Sequence, residues 1–447
     1  MSYTGRQSES EAPVVPKLAT QGAQAHGRDW SWVEACVWNE RMLAALDNGV
    51  KGGKWFSLID KVYRPVTLLA AWRKVAANAG APGVDRQSIE QFAARAEDYL
   101  GELEAALKAD SYAPLAVLRV EIPKGPGKVR PLGIPAVKDR IVQTALKLVI
   151  EPIFEREFLD TSYGFRPGRG CKDALREVDR LLKEGYTHVV DADLQSYFDT
   201  IPHEALMARV AEQVSDGRLL ALIGAFLHQD IVKGVQRWTP TGGTPQGAVI
   251  SPLLANLYLH PLDGWMRERG YRMVRYADDF VVLCRSAEQA RAGLAEVQAW
   301  VQANALSLNP DKTHVGDCRE EGHGFDFLGY RFEAGQRRVR RKSLKAIRDR
   351  IRARTGRTRG DSLACIIAEL NPMLRGWYGY FKHAHPWTFS GMDGFLRRRL
   401  RSLLRKQQKR PGAGRTLADH HRWSNAFFAE LGLFTMTEAH AMARRPR

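Results

Sequence analysis

The period of the hydrophobic positions changes several times along this chain. From Trp30 to about Leu107 apolar residues recur at helical spacing, interrupted by a turn at "NAGAPGVD" (78–85). "VLRVEIPKGPGKVRPLGIP" (117–135) alternates apolar and polar, breaks at Gly and Pro, then resumes, as a β-hairpin with a basic, glycine-rich connection does. Helical spacing returns over 139–158. "HVVDADLQSYFDTI" (188–201) predicts a strand running into a turn, and "HEALMARVAEQV" a helix. A Gly/Pro turn leads into a helix over 242–269. Then come a strand around Val274–Cys284, a helix at about 287–304, a turn at "LNPDKT" (308–313) and a strand at "GFDFLGYRF" (324–332). After Arg337 the pattern is helical and basic, and no internal repeat is visible. Strands mixed among helices up to Phe332, with helices alone beyond, predict an α+β fold followed by an all-helical part.

A chain of 447 residues has a prior of two or three domains. The longest apolar run, "LLALIGAFL" (219–227), is too short to span a bilayer as a helix. The first 29 residues are polar, contain proline and lack an apolar signal core, so they predict a disordered leader and no secretory signal. Cys36, Cys171, Cys284, Cys318 and Cys365 are scattered, odd in number and never form C-x-x-C. That argues for a reducing cytosol and against a zinc ribbon. Charge changes the picture more. The net charge is +17, yet residues Arg337 to Arg447 hold 27 basic and 7 acidic residues, which leaves a net of −3 elsewhere. Such a block implies a polyanionic partner, with a solvated helical face as the alternative. Arg397, Arg398, Arg399, Arg401, Arg405, Lys406, Lys409 and Arg410 crowd one segment, and Trp423, Phe427 and Phe428 follow. Phosphate contacts plus base stacking suit that mixture.

"VRYADDFVVLC" (274–284) places two adjacent carboxylates, Asp278 and Asp279, between apolar flanks. Neighbouring like charges repel and pay desolvation, so the pair sits at an exposed turn or holds a cation. A third carboxylate, Asp193, ends the apolar strand "HVVDAD". Carboxylates on neighbouring strand ends make an oxygen-ligand site for Mg²⁺, and two such ions activate a 3′-hydroxyl and stabilise departing pyrophosphate. "TPQGAVISP" (244–252) supplies Gly and Pro for close backbone approach, with Gln246 as a hydrogen-bonding group. Lys124 and Arg130 on the basic hairpin can clamp a triphosphate, and Lys312 in "NPDKT" can donate a proton to a leaving phosphate. Loops and solvated surface charges are the ordinary alternatives for each.

The order Lys124…Arg130, "DLQSYFD", "TPQGAVISPLLANLYL", "YADD", "LNPDKT", "FDFLGYRF" resembles a reverse transcriptase of the kind encoded by bacterial group II introns. "SYGFRPGRGCKDAL" (162–175) and "LNPMLRGWYGYFKHA" (370–384) resemble that family's own signatures, the second in its maturase region. The resemblance covers residues 30 to 447. It implies a right-hand polymerase: a disordered leader over 1–29, fingers and palm over 30–335, a helical thumb over 336–388 and a short basic DNA-binding tail over 389–447. It implies that Asp193, Asp278 and Asp279 hold two Mg²⁺ ions, helped by the Leu194 carbonyl. Phe198 stands where the family excludes a ribose 2′-hydroxyl, Gln246, Arg130 and Lys124 contact the incoming nucleotide, Lys312 is the proton donor, and Asp199 is structural. Phe198 as a core aromatic is the alternative from the residues alone.

The implied activity is RNA-directed DNA synthesis together with splicing assistance to a cognate intron RNA. Its partners would be that RNA, target DNA and primer, and deoxynucleoside triphosphates, in the bacterial cytoplasm, near the nucleoid when DNA is the target, and with no membrane. The His-Asn-His endonuclease with paired cysteines that many relatives carry has no counterpart here, so second-strand cleavage is not expected. Two other readings stand beside this one: the same polymerase adopted by its host for defence or repair, and a splicing-only RNA-binding protein. The intact aspartate set argues against the latter.

Overall fold

A computed structural model describes residues 29–125 and 127–444, without the side chains of Lys124, Gly125 and Lys128. All but the last residue of the expected leader therefore lies outside the described residues. In chain order the elements are α1 (Glu40–Asn48), α2 (Ile59–Val62), α3 (Pro65–Asn78), α4 (Ile89–Ala93), α5 (Ala96–Lys108), β1 (Val117–Gly125), β2 (Lys128–Ile134), α6 (Val137–Glu155), α7 (Cys171–Lys183), β3 (His188–Asp193), α8 (Tyr197–Thr200), α9 (His203–Gln213), α10 (Gly217–Leu227), β4 (Ile231–Lys233), β5 (Gln236–Trp238), α11 (Ser251–Glu268), β6 (Arg272–Tyr276), β7 (Asp279–Cys284) and α12 (Ala287–Ala303). There follow β8 (His314–Asp317), β9 (Phe325–Phe327), β10 (Tyr330–Glu333), β11 (Gln336–Val339), α13 (Arg341–Arg354), α14 (Leu363–Phe381), α15 (Trp387–Gln407), α16 (Leu417–Arg422), α17 (Asn425–Glu430) and α18 (Met436–Ala443).

The chain divides into two units. The first comprises residues up to Asp179, Ala192–Phe280 and Ala292–Thr313; the second comprises Arg180–Asp191, Val281–Arg291 and His314 onward. β3 and β7 each carry residues of both units, and within the second unit β3 pairs antiparallel with β8, Val190 opposite Val315.

In the first unit α6 is the central helix. Ile141, Val142, Ala145, Leu146, Val149, Ile150 and Phe154 are fully buried, a stripe too wide for a surface helix. Its own Asp139 is buried too, accepting from Tyr112 Oη at 2.5 Å, Leu115 N at 3.0 Å and Gln229 Nε2 at 3.0 Å. The basic hairpin forms as its alternation implies: β1 and β2 pair antiparallel, Leu118 opposite Ile134. A second hairpin, β4-β5, extends this sheet through a parallel pairing of β1 with β4, giving the order β2-β1-β4-β5. Its short strands carried no alternation long enough to announce them.

The second unit departs from the sequence pattern in its strands: β8 was not announced, β11 lies beyond Phe332 where helices alone were expected, and one expected strand is broken. "GFDFLGYRF" is not one strand. β9 and β10 pair antiparallel about a tight turn at Leu328 and Gly329, both at positive φ (+47° and +86°), and β11 completes a three-stranded sheet. Phe325 and Phe332 then stack across the hairpin, centroids 4.9 Å apart and planes 9° apart. From Arg341 on, the elements of this unit are helices, as expected. The division expected at 335/336 falls between β10 and β11, and that at 388/389 within the first turn of α15. Among the described residues no helix is long and apolar enough to cross a membrane.

Candidate active site

The first unit gathers Asp193, Asp278, Asp279, Arg130, Gln246, Phe198 and Lys312. At the end of β3, Leu194 bridges antiparallel to Leu308, Gln195 N donates to Ser307 O at 2.8 Å, and Asn309 N donates to the Asp193 carbonyl at 2.8 Å. The "LNPDKT" turn is thus fastened to the strand end, and Lys312 Nζ donates to Asp193 Oδ2 at 2.7 Å.

The other two carboxylates occupy a hairpin with a two-residue turn, Ala277–Asp278, between β6 and β7. Ala277 sits at φ +59°. A residue with a Cβ in that region costs on the order of 1 kcal/mol or more and persists only where its surroundings impose it. Arg275 imposes it. Its Nη1 donates to the Ala277 carbonyl at 2.9 Å and to Asn256 Oδ1 at 3.0 Å, while Nε and Nη2 bind the Asp263 carboxylate at 2.7 and 2.5 Å. The backbones of Tyr163 and Thr161 flank it, Tyr163 N donating to Arg275 O at 2.8 Å and Arg275 N to Thr161 O at 2.9 Å. Asn256 Nδ2 donates to Gly164 O at 2.7 Å. Gly164 itself leaves no room for a side chain, since a Cβ there would lie 2.3 Å from Ala277 N.

On the nucleotide side, Arg130 Nε donates to Gln246 Oε1 at 3.0 Å, and Gln246 Nε2 reaches Asp199 Oδ2 at 3.4 Å. The Gln246 loop is pressed onto β2, with Gly133 N donating to Gln246 O at 2.6 Å, and onto α8, with Thr244 N donating to Phe198 O at 2.6 Å. Gly247, at φ +111°, is obligatory because a Cβ would meet Gly133 O at 2.3 Å. His203 Nε2 donates to the Gly243 carbonyl at 2.7 Å and steadies the same loop. Phe198 is half-buried; the core ring of this pair is Tyr197, 2 % exposed. The Lys124 side chain lies outside what is described.

Burial holds the Asp278 carboxyl above its ordinary range, and the charge of Asp193 pushes in the same direction, against Arg130 and Lys312. Burial raises Asp199 as well, opposed by Arg119, the Gln246 hydrogen bond and Arg130. Among the described residues no group of three or more His, Cys, Asp or Glu side chains is gathered closely enough to hold a metal ion. The donors are nonetheless of the right kind. Asp193 and Asp278 are carboxylates, the oxygen donors that Mg²⁺ takes, and the Lys312 ammonium lies 2.7 Å from Asp193 Oδ2. Arg275, Asp263, Asn256 and Gly164 support the candidate turn, and sequence reasoning missed them. The available signal was an arginine following two apolar residues in "RMVRY" (272–276) and an aspartate inside the largely apolar "LLANLYLHPLDGW" (253–265).

The basic segment of the second unit needs a correction. Trp423 and Phe428 are core residues, 4 % and 1 % exposed, so they offer no face for base stacking. Several of the arginines are engaged internally. Arg399 Nη2 binds the Thr355 carbonyl at 2.7 Å, Arg401 Nε the Trp423 carbonyl at 2.9 Å, and Arg405 the Asp419 carboxylate at 2.7 Å. Arg398, Lys406, Lys409 and Arg410 remain exposed.

The family described as reverse transcriptase (RNA-dependent DNA polymerase) matches residues 122–332, and the group II intron maturase-specific domain matches 344–423. The chain therefore joins a polymerase domain of the RNA-directed class to a helical maturase domain, and polymerases of this family use divalent metal ions. Protein YkfC of Escherichia coli (strain K12) is 36% identical over 318 residues, covering 61% of this chain and 82% of that protein. Group II intron-encoded protein LtrA of Lactococcus lactis subsp. cremoris is 36% identical over 203 residues, 45% of this chain but only 33% of LtrA. A chain of the solved "Partial Cas6-RT-Cas1--Cas2 complex" aligns at a TM-score of 0.36 and 24% identity, covering 55% of this chain and 42% of that one, too loosely to support an argument. This chain belongs to the group II intron reverse transcriptase/maturase family.

Proposed function

We propose that this protein binds its own intron RNA, assists its splicing and copies RNA into DNA at an insertion site. In this reading the first unit supplies fingers and palm, and the helices from Arg341 onward act as thumb and basic nucleic-acid surface. The observation that carries it is the convergence of Asp193, the Ala277–Asp278 turn and the Arg130–Gln246 pair in one unit matched by a polymerase family. Asp193, Asp278 and Asp279, with the Leu194 carbonyl, would hold two Mg²⁺ ions, which when bound supply charge neutralisation and an acidified primer hydroxyl.

The chain's own side chains have distinct tasks. Arg130 presents a planar fork to the triphosphate, already oriented by Gln246. Phe198 packs against the sugar and leaves no room for a 2′-hydroxyl. Lys312, held at Asp193, keeps a proton in reserve for the departing phosphate. The Arg275 network fixes the turn, so Asp278 is positioned before substrate arrives.

The test is Asp278→Asn combined with Asp279→Asn, which keeps size and removes two charges. DNA synthesis in primer extension should fall by orders of magnitude, because in-line attack loses its electrostatic support. Affinity for intron RNA, by filter binding on the same preparation, should stay within a few-fold of wild type. Retained synthesis would overturn the site. Joint loss of synthesis and RNA binding in a folded protein would overturn the division of labour.

A further inference from the structure

Among the described residues, Phe165 alone joins a large exposed apolar side chain to a positive φ. It is 49 % exposed, and its φ is +58°. A bulky residue has no preference of its own for that region, and water gives its ring nothing in return. Such a conformation persists only where neighbouring structure imposes it, and it clusters where strain serves a function. The neighbours of Phe165 do impose it. Tyr163 N donates to the Arg275 carbonyl at 2.8 Å, and the Gly164 carbonyl accepts from Asn256 Nδ2 at 2.7 Å. Arg166, 6 % exposed, binds Glu155 through Nε at 3.0 Å and Nη2 at 2.6 Å, and the Ser162 carbonyl through Nη1 at 2.7 Å. With the chain pinned on both sides, the side chain between is turned outward.

The ring is held next to the candidate turn. Gly164 packs so closely on Ala277 that a Cβ would lie 2.3 Å from Ala277 N, and the Phe165 ring stands 6.3 Å from that of Tyr276, planes 44° apart. Two residues at positive φ, Phe165 and Ala277, thus flank one close backbone contact. The Gln246 loop rests on other residues, Gly133 and Phe198. Phe165 is therefore built into the support of the Ala277–Asp278 turn and not into that of the Arg130–Gln246 pair. An aromatic face left in water at such a place suits a nucleobase, whose stacking is worth about tenfold or more in affinity.

We propose that Phe165 packs against the base of the primer's 3′-terminal nucleotide and so holds the primer end at the turn. The choice of nucleotide follows from position. In the function proposed above, on which this inference rests, Asp278 and Asp279 act on the primer hydroxyl, and the nucleotide that bears that hydroxyl is the one brought to the turn. The incoming nucleotide is taken by Arg130, whose support is separate. Phe165 is thus a contact residue for one substrate, and its backbone strain keeps the ring in place before the primer arrives.

The experiment uses the whole chain without Mg²⁺ or deoxynucleotides, so binding is read apart from synthesis. Fluorescence anisotropy follows an RNA template paired with a DNA primer and labelled at the template's 5′ end. The duplex is intact, or lacks the base of the primer's last nucleotide, or lacks the template base opposite it. With wild type, loss of the primer base should weaken binding about tenfold. Phe165→Gly should bind the intact duplex about tenfold more weakly than wild type and lose nothing further when the primer base is removed. Loss of the template base should affect both proteins alike. Phe165→Tyr keeps a ring and should retain the wild-type pattern, as should Trp387→Ala, which removes an exposed ring elsewhere. Glycine takes positive φ without strain, so Phe165→Gly should melt no lower than wild type. A wild-type chain indifferent to the primer base, or a glycine variant that still senses it, overturns the proposal. So does a glycine variant that melts lower yet binds the intact duplex normally, which makes the ring structural. A glycine variant that loses its response to the template base instead puts the ring on the other strand and overturns it as well. Synthesis retained by the Asp278/Asp279 variant beside the expected primer-base pattern would sink the active-site reading and leave Phe165 at the primer end.

Discussion

Arg275 and Arg401 are both buried, and their surroundings give the same residue two meanings. Arg275 lies in an apolar strand, fully paired with an equally inaccessible Asp263, and spends one nitrogen on the strained Ala277 carbonyl. Arg401 lies in the most basic stretch of the chain, yet it meets no carboxylate directly. It holds the Trp423 carbonyl at 2.9 Å and Asn425 Oδ1 at 3.3 Å, with its guanidinium 5.5 Å over the Phe428 ring. The first arginine holds the Ala277–Asp278 turn; the second bolts α15 to the segment that follows. Charge density therefore does not tell a structural arginine from an exposed one: Arg401 is buried in the same stretch in which Arg398 is exposed.

The contrast breaks most sharply with Arg275→Met, which strands Asp263 without a partner. Unfolding in urea should show a loss of about 3–5 kcal/mol. Arg401→Met leaves two neutral acceptors unpaired and should cost about 1–3 kcal/mol. Adding Asp263→Leu to Arg275→Met should recover much of the stability but not primer extension, because the Ala277 carbonyl still lacks its donor. Equal costs for the two single variants would dissolve the distinction.

Asp139 sharpens it from the acidic side. Three neutral donors hold this buried carboxyl, and burial pushes it up to about 6. The native state then binds the proton more tightly than the unfolded chain, whose carboxyl titrates near 3.8. This group's contribution to stability is present at low pH and declines as pH rises from about 4 to about 6, by about 1–3 kcal/mol. Asp139→Asn should remove that increment, so the stability difference between the two proteins should shift across that window and flatten above it. A difference that does not vary with pH would contradict the assignment.

The smallest effect concerns the exposed charges. Arg398, Lys406, Lys409 and Arg410, replaced together by Gln, should lower the slope of log K against log salt for duplex DNA by at most about 4, in proportion to the phosphates they neutralise. Arg401→Met should leave that slope unchanged. A steep fall on losing Arg401 would mean that it faces nucleic acid after all.

Long periodic elements were legible from the residues. α6, α11 and α12 and the β1-β2 hairpin follow from apolar spacing and from Gly and Pro at their ends. The β9-β10 turn was not, because F-D-F-L-G-Y-R-F keeps a strand-like alternation through it and Leu328 accepts positive φ with no glycine at its own position. Trp423 and Phe428 read as stacking faces because nearby arginines suggested phosphate, whereas burial is a property of the whole unit. At the candidate site the carboxylates stood out as charges among apolar neighbours. Their support did not, since Gly164 and Asn256 reach the turn only through tertiary structure.

Gly164 and Asn256 are 92 positions apart, and the hairpin they brace comes later still in the chain. Contacts of such sequence separation close late, because loop entropy must be spent before they are rewarded. On the ribosome, residues 161–164 emerge long before α11 and β6 do, so the Ala277–Asp278 turn has no brace until most of the polymerase domain has been made. A chain interrupted before β6 can thus own folded helices of the first unit while lacking the Ala277–Asp278 turn and its brace, and the basic stretch from Arg337 onward is made later still.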